Sequence, residues 1–456
     1  MQTKNLPLNP SDLRVSDPGV RALFLVESRW QAWLDVEGAL AKAEADLGMI
    51  PAAAAEEIAA KAKIELLDSE RLTKGLTRTG HRLVPLVWEL SRICSDDVGG
   101  YVHWGATTQN ITQTGDTLLI RQAHQIFMGQ IERILTSMAD LAERTADAAL
   151  PGRTHGQHAV PITFGFKVGV WIDEMCRHVE RMREAEKRVF CSMLGGAAGT
   201  FASFGGKGME LHERMATYLE MPAMPVPART TGDHKAEYVT LLALLASTCG
   251  KIAREVYTLM KQEFGEVEEP VPAGTVGSST MPQKRNPKLT QDIIAGAAKV
   301  RALVPLALES MQTEHEADRA CSLMMQAAVE PACETVGDML ERIAIVVADL
   351  NVKPKRMRRN LDLSGGLILS EALMLELGEV IGRQAAHDAI YDAAQKAATT
   401  DRSFADLLSD NDIVREHLTP DEIKTKLDPE AYTGECSEIA RTQALRARTV
   451  AKELAV

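Results

Sequence analysis

The segment "GTVGSSTMPQKRNPK", residues 274–288, gathers two serines, two lysines and an arginine between stretches that read as helix. Asn286 followed by Pro287 has the chemistry of a helix N-cap and first helical position. The loop is therefore expected to end at a helix start with open N–H groups and a positive dipole. Lys284 and Arg285 add cations there, while Gly274 and Gly277 give the loop freedom to close. That set suits a carboxylate or a phosphate; the competing reading is a solvated interhelical loop. Three further polar breaks carry candidate chemistry. "PGRTHGQHAVP" (151–161) sets His155 beside Thr154, with His158 three residues on. No HExxH and no third ligand accompany the pair, which argues against a metal site. What is left is either one imidazole placed for proton transfer or a histidine with no special task. "HWGATTQN" (103–110) puts Thr107 and Thr108 immediately before a long helical stretch, as an anion cradle or as plain caps. "GGAAGTFASFGGKG" (195–208) lacks the Lys-Ser/Thr ending of a phosphate loop and reads as small residues that let backbones approach. "VEEP" (267–270) reads as a charged loop.

The elements that must position these breaks are long helices. Stretches from about Ile111 to Ala149, Ile162 to Val189, Lys235 to Phe264, Pro287 to Met311 and Ala327 to Leu350 are expected to be helical, with Gly115 and Gly129 as weak points of the first. In the second, Val168, Ile172, Met175, Val179, Met182 and Val189 recur at spacings of three, four and seven, the seam of a helix packed lengthwise on neighbours. Helices of this length predict an all-α, elongated bundle (111–351) between helical N-terminal (1–110) and C-terminal (352–456) domains. Their apolar stripes predict association of several chains.

Composition excludes other classes. The 51 basic and 63 acidic residues give a net charge of −12, which disfavours a sequence-independent grip on nucleic acid or on an anionic membrane. Seven cysteines without CxxC spacing predict neither a disulfide framework nor a zinc knuckle. The first residues lack the apolar run of a signal peptide and no uncharged stretch of about 18 residues suggests a span, so a cytoplasmic location is expected.

Taken together, the segments resemble the fumarase/aspartase superfamily of lyases. The signature loop of that family, GSSxMPxKxNP, is matched by Gly277 through Pro287; "HWGATTQN", "GRTHGQ" and "GGAAGT" are similar to its other conserved segments. "WLDVEGALAKAEADLGMIP" (33–51) and "DPEAYTGE" (428–435) resemble the branch that contains adenylosuccinate lyase and 3-carboxy-cis,cis-muconate cycloisomerase. The resemblance implies a homotetramer with a twenty-helix core, active sites each built from three subunits, and no cofactor. The implied reaction is anti elimination of a C–N or C–O bond beta to a carboxylate, or the related addition. By position, Ser278 resembles the catalytic base and His155 the general acid. Thr107, Thr108, Thr154, Lys284 and Asn286 match carboxylate-holding positions, Ser279 a backbone N–H donor, and His81 in "TGHRLVPLV" a histidine of the adenylosuccinate lyase site. Three residues depart from the pattern: Gln283 stands for His, Gln291 for a Glu that pairs with the histidine, and Asn110 for Asp. "TTGDHKAE" (230–237) and "EADRACSLMMQAAVEP" (316–331) lack arginines that handle a nucleotide, which favours a small polycarboxylate over a nucleotide adduct. A non-catalytic, crystallin-like member of the superfamily is the alternative of another class.

Overall fold

The computed structural model describes residues 14–271, 278 and 280–455. The chain is 69% helical. Five long helices dominate: Thr108–Arg144, Phe164–Val189, Asp233–Leu259, Lys288–Glu309 and Arg319–Ala348. All six residues of the seam expected in the second are buried, at 0–2% exposure. Burial of this kind stabilises by roughly 1.5–3 kcal/mol per large aliphatic side chain. The last helix starts eight residues before the expected Ala327, because Pro331 lies inside it rather than near its start. The Asp233–Leu259 helix is long and apolar enough to cross a membrane by length and composition alone. Its Val239, Leu242, Leu245, Cys249, Ile252 and Val256 are instead buried in protein.

The described residues form two compact units, and the divisions between them fall inside all five long helices. The first unit comprises residues up to Gly129, His178–Ser247 and Ala295–Glu341. Its core is built on Trp33, Leu34, Leu40, Ile58, Leu86, Leu90, Ile111, Phe204 and Leu211. The Trp33 indole donates to Asp116 Oδ1 at 3.2 Å. Gly115, expected as a weak point, is there for space: a Cβ on it would stand 2.5 Å from Trp33 Cδ1. In the "GGAAGT" turn the backbone approaches itself as its composition suggests, since a Cβ on Gly195 would stand 2.7 Å from Gly199 Cα.

The second unit comprises Gln130–Arg177, Thr248–Ile294 and Arg342–Val456. Its C-terminal helices close over Leu373, Leu377, Ile390, Phe404, Leu408 and Ile423. Two features here differ from the sequence reading. Residues 149–163 are an antiparallel hairpin, Ala149–Thr154 paired with Gln157–Thr163, with a register break between Pro151 and Arg153. Arg153 anchors it by a two-pronged pair with Glu266, at 2.6 and 3.1 Å. Glu266 is fully buried and also accepts from Asn360 Nδ2 at 2.7 Å.

The "VEEP" segment is the second correction. Val267–Glu268 forms a short strand with Asn351–Val352, and Glu269 is 3% exposed rather than a loop charge in solvent. Its carboxylate accepts from the backbone N–H of Leu289 and of Thr290, both at 3.0 Å, and from Thr290 Oγ1 at 3.1 Å. Burial nonetheless raises its pKa, against the lowering effect of these donors. The helix begins at Lys288, with Pro287 rather than Asn286 at the cap position, and the cap side chain comes from nearly twenty residues upstream. N–H groups expected to be open for a ligand are thus occupied by the protein's own carboxylate.

Candidate active site

In the first unit, three of the expected residues meet around one cavity. His81, Thr107 and Thr108, with Arg82, Gln109, Thr112, Arg229 and Arg319, line a space of about 300 Å³. Each is placed by local structure. His81 follows Gly80, which ends the Ser69–Thr79 helix at φ 60°. The His81 Nδ1 accepts from the N–H of Val84 at 3.1 Å, at the start of the Val84–Ile93 helix. Because Nδ1 is an acceptor, the neutral ring carries its proton on Nε2, which lies 3.4 Å from Thr108 Oγ1. Thr108 opens the 37-residue helix. Asn110, fully buried in its first turn, accepts at Oδ1 from Thr107 N (3.0 Å) and from Gly196 N (3.1 Å). An amide oxygen thus does the joining that a carboxylate would do at this position, and the Asn110 Nδ2 has no partner. Arg229 and Gln109 clasp each other, Arg229 Nε to Gln109 Oε1 at 2.9 Å and Gln109 Nε2 to Arg229 O at 2.9 Å.

A smaller space of about 90 Å³ shares Arg82, Gln109, Thr112 and Arg229 with the first and extends to Thr231 and Lys235. Sequence reasoning missed Arg82, Arg229 and Lys235 as site residues. Arg82 is adjacent to His81, and Lys235 lies in "TTGDHKAE", a segment examined only for the nucleotide-handling arginine it lacks.

In the second unit Thr154, His155 and Lys284 stand in the open, and Ser278 and Asn286 are half-buried. His155 and Gly156 form the two-residue tip of the hairpin with φ 52° and 79°. Both values are positive, the geometry of a tight hairpin turn that Asn-Gly or Gly-Gly adopts with little strain. A histidine there costs on the order of 1 kcal/mol. Thr154 and His155 are exposed. His158 is half-buried, and its pKa is lowered by burial and then by Arg153. On the loop, Ser278 Oγ accepts from the N–H of Met281 at 3.1 Å and of Thr280 at 3.3 Å. Two donors on one hydroxyl oxygen favour its deprotonated form. Lys284 and Gln283 are exposed, as is Gln291, while Asn286 is half-buried. Ser279, with Gly274 and Gly277, lies outside the described residues. No hydrogen bond joins His155 to Ser278 or Lys284 among the described residues.

Comparison with known proteins identifies the family. Residues 13–302 match the family described as Lyase, and residues 366–442 the one described as Adenylosuccinate lyase C-terminus. The chain is 37% identical over 417 residues to the N-acetyl-S-(2-succino)cysteine lyase of Dickeya dadantii, covering 91% of this chain and 92% of that one. It is also 37% identical over 433 residues to the adenylosuccinate lyase of Methanothermobacter thermautotrophicus, covering 94% and 96%. The solved 3-carboxy-cis,cis-muconate lactonizing enzyme from Pseudomonas putida has a TM-score of 0.88 at 32% identity, over 98% of this chain and 99% of that one. The long helices, the signature loop and these matches along nearly the whole length place the chain in the fumarase/aspartase superfamily of lyases and cycloisomerases.

Proposed function

We propose that this protein is a cytoplasmic, homotetrameric acid–base enzyme acting on a small polycarboxylate, most like 3-carboxy-cis,cis-muconate cycloisomerase. One observation carries the reading: three arginines, Arg82, Arg229 and Arg319, against one acid, Asp318, line a single cavity with the His81–Thr108 pair, within a chain whose net charge is −12. A concentration of cations against the overall charge suits a substrate with several carboxylates.

In the elimination direction, Ser278 Oγ takes a proton from the carbon beside a carboxylate. The C–H electron pair spreads into that carboxylate and returns to form the double bond as the beta bond to nitrogen, oxygen or sulfur breaks. His155 delivers a proton to the departing atom. In the cyclising direction a substrate carboxylate oxygen adds to the double bond and the adjacent carbon takes the proton. Thr107, Thr108, Thr154, Lys284, Asn286 and the Ser279 N–H hold carboxylates, and His81 donates from Nε2. Transition-state charge is the main barrier, and donors placed in advance lower it.

The exposure of His155 and Lys284, and of Val170, Leu244, Leu308 and Leu323 on the long helices, supports a tetramer in which neighbouring chains complete each site. By chain order the organisation proposed is an N-terminal domain (1–110), a central bundle (111–351) and a C-terminal domain (352–456). A second reading, a lyase that releases fumarate from a succinyl adduct, is favoured by the two relatives at 37% identity. An absorbance assay with 3-carboxy-cis,cis-muconate, adenylosuccinate and N-acetyl-S-(2-succino)cysteine separates the two. Loss of muconate absorbance is expected; appearance of fumarate alone selects the second reading. No change with any of the three, while a control lyase turns over, returns the crystallin-like alternative.

A further inference from the structure

Lys235 is a cation of the first unit with no ion pair among the described residues. It is half-buried and lines the smaller space beside Arg82, Arg229 and Thr231. Among the described residues none lies within hydrogen-bonding distance of its ammonium; its backbone N–H donates to Gly232 O at 3.2 Å. The nearby carboxylates are hydrogen-bonded elsewhere: Asp318, which lines both spaces, accepts from the N–H of Ala320 at 2.7 Å. Arg29 takes Asp116 Oδ1 at 3.3 Å and Glu330 Oε1 at 2.8 Å, and Asp116 also accepts from Trp33. Arg82 is no better supplied: its contacts are neutral, to Thr112 Oγ1 at 3.3 Å, Gln326 Oε1 at 3.4 Å and the face of Trp33. Its Nε is buried without a partner. Two cations sharing a concave space, with the neighbouring carboxylates hydrogen-bonded to other groups, leave N–H donors that a bound anion satisfies.

We infer that Lys235 and Arg82 form a specificity-determining subsite for a substrate carboxylate remote from the carbon that eliminates, so that the substrate is a tri-acid rather than a simple dicarboxylate. This rests on the lyase/cycloisomerase reading above, in which the larger space holds the reacting carboxylates, and it adds which part of the substrate the smaller space selects. The size of that space, about 90 Å³, suits a carboxylate with the few carbons that carry it. Consistent with a site awaiting an anion, the Lys235 pKa is lowered, first by burial, with Arg82 and Arg29 adding to the effect and Asp116 and Glu330 opposing it. A bound carboxylate offsets that desolvation.

The test is a calorimetric titration of the full-length protein in its native assembly with tricarballylate, succinate and adenosine monophosphate, none of which needs turnover. The wild type is expected to prefer tricarballylate over succinate, and Lys235→Met to shrink that preference by roughly tenfold to a hundredfold, the range for a lost charged hydrogen bond. Lys235→Arg is expected to recover most of it. Melting curves establish that each variant is folded, and Lys235→Gln replaces Lys235→Met if the latter is not. Equal wild-type affinities for succinate and tricarballylate overturn the proposal, as does an unchanged preference in Lys235→Met. Adenosine monophosphate binding more tightly than tricarballylate overturns the carboxylate assignment in favour of a phosphate. A subsite that fails these titrations while tri-acid turnover persists sinks this inference alone; absence of turnover with intact titrations sinks the lyase reading instead.

Discussion

The two units treat their polar residues in opposite ways. In the first, His81, Thr107 and Thr108 are held by neighbours: Nδ1 of the ring by a backbone N–H, Thr107 by Asn110, and Thr108 by the start of a 37-residue helix. In the second, of the residues proposed to move protons, His155 stands exposed on a hairpin tip and Ser278 half-buried on a loop, with the supporting structure set behind them. Half-buried Arg153 and buried Glu266 and Glu269 are the support, and none of them is a candidate for contact with substrate. The contrast teaches that binding and chemistry are built differently: a preformed cavity on one side, and reactive groups presented outward on anchored, strained or closable backbone on the other.

Changes that break this contrast are ordered by expected effect. Ser278→Ala removes the proposed base and is expected to lower kcat by about 10³-fold or more while leaving substrate affinity within a few-fold, measured by turnover and titration. A near-normal rate would assign the proton transfer to another residue. Glu266→Gln leaves the half-buried Arg153 guanidinium without its counter-charge and is expected to destabilise the protein by about 3 kcal/mol in urea unfolding. Its effect on His155 tests whether the hairpin needs its anchor: turnover should fall even at temperatures where the variant remains folded.

The first unit holds a pH-sensitive burial of its own. Glu44 is fully buried, neither carboxyl oxygen has a hydrogen-bond partner among the described residues, and its pKa is pushed up to about 9, chiefly by burial and then by Glu37. The folded state therefore keeps a proton that the unfolded chain releases above its ordinary value of 4.5, so stability contributed by this group is lost as pH rises from about 4.5 towards 9. Glu44→Gln is expected to flatten that decline and to gain roughly 1–3 kcal/mol at pH 8, read from unfolding curves at pH 6 and 8. Equal pH dependence in variant and wild type would mean that the site is hydrated or relaxes. The smallest effect sharpens the contrast on the other side. His155→Gly is expected to stabilise by roughly 0.5–1 kcal/mol, because glycine accepts positive φ freely, while turnover drops. A histidine kept at a stability cost is what a functional tip should show.

Much of this was legible before any coordinates. Apolar residues repeating every three or four positions mark the long helices, and the seam from Val168 to Val189 is buried as its spacing implies. The signature loop, the Thr107–Thr108 pair and the His155 segment stand out because polar, glycine-rich stretches interrupt those helices. The hairpin was not legible, since Pro151 and Gly152 obscure its alternation and His155-Gly156 is not a usual turn pair. Nor was the cap from Glu269, whose partners lie twenty residues away and which looks in isolation like any acidic loop residue.

The order of residues is enough to establish helix-rich architecture and the superfamily, because periodicity and contiguous motifs are local properties of a chain. Folding alone decides that Glu269 occupies the helix start expected to be open, that Arg29 pairs with both Asp116 and Glu330, and that the Lys235 ammonium lines a cavity without a hydrogen-bond partner among the described residues. Whether a charged group is paired depends on distances between segments remote in sequence. Coulombic attraction and desolvation act on those distances, and only packing sets them.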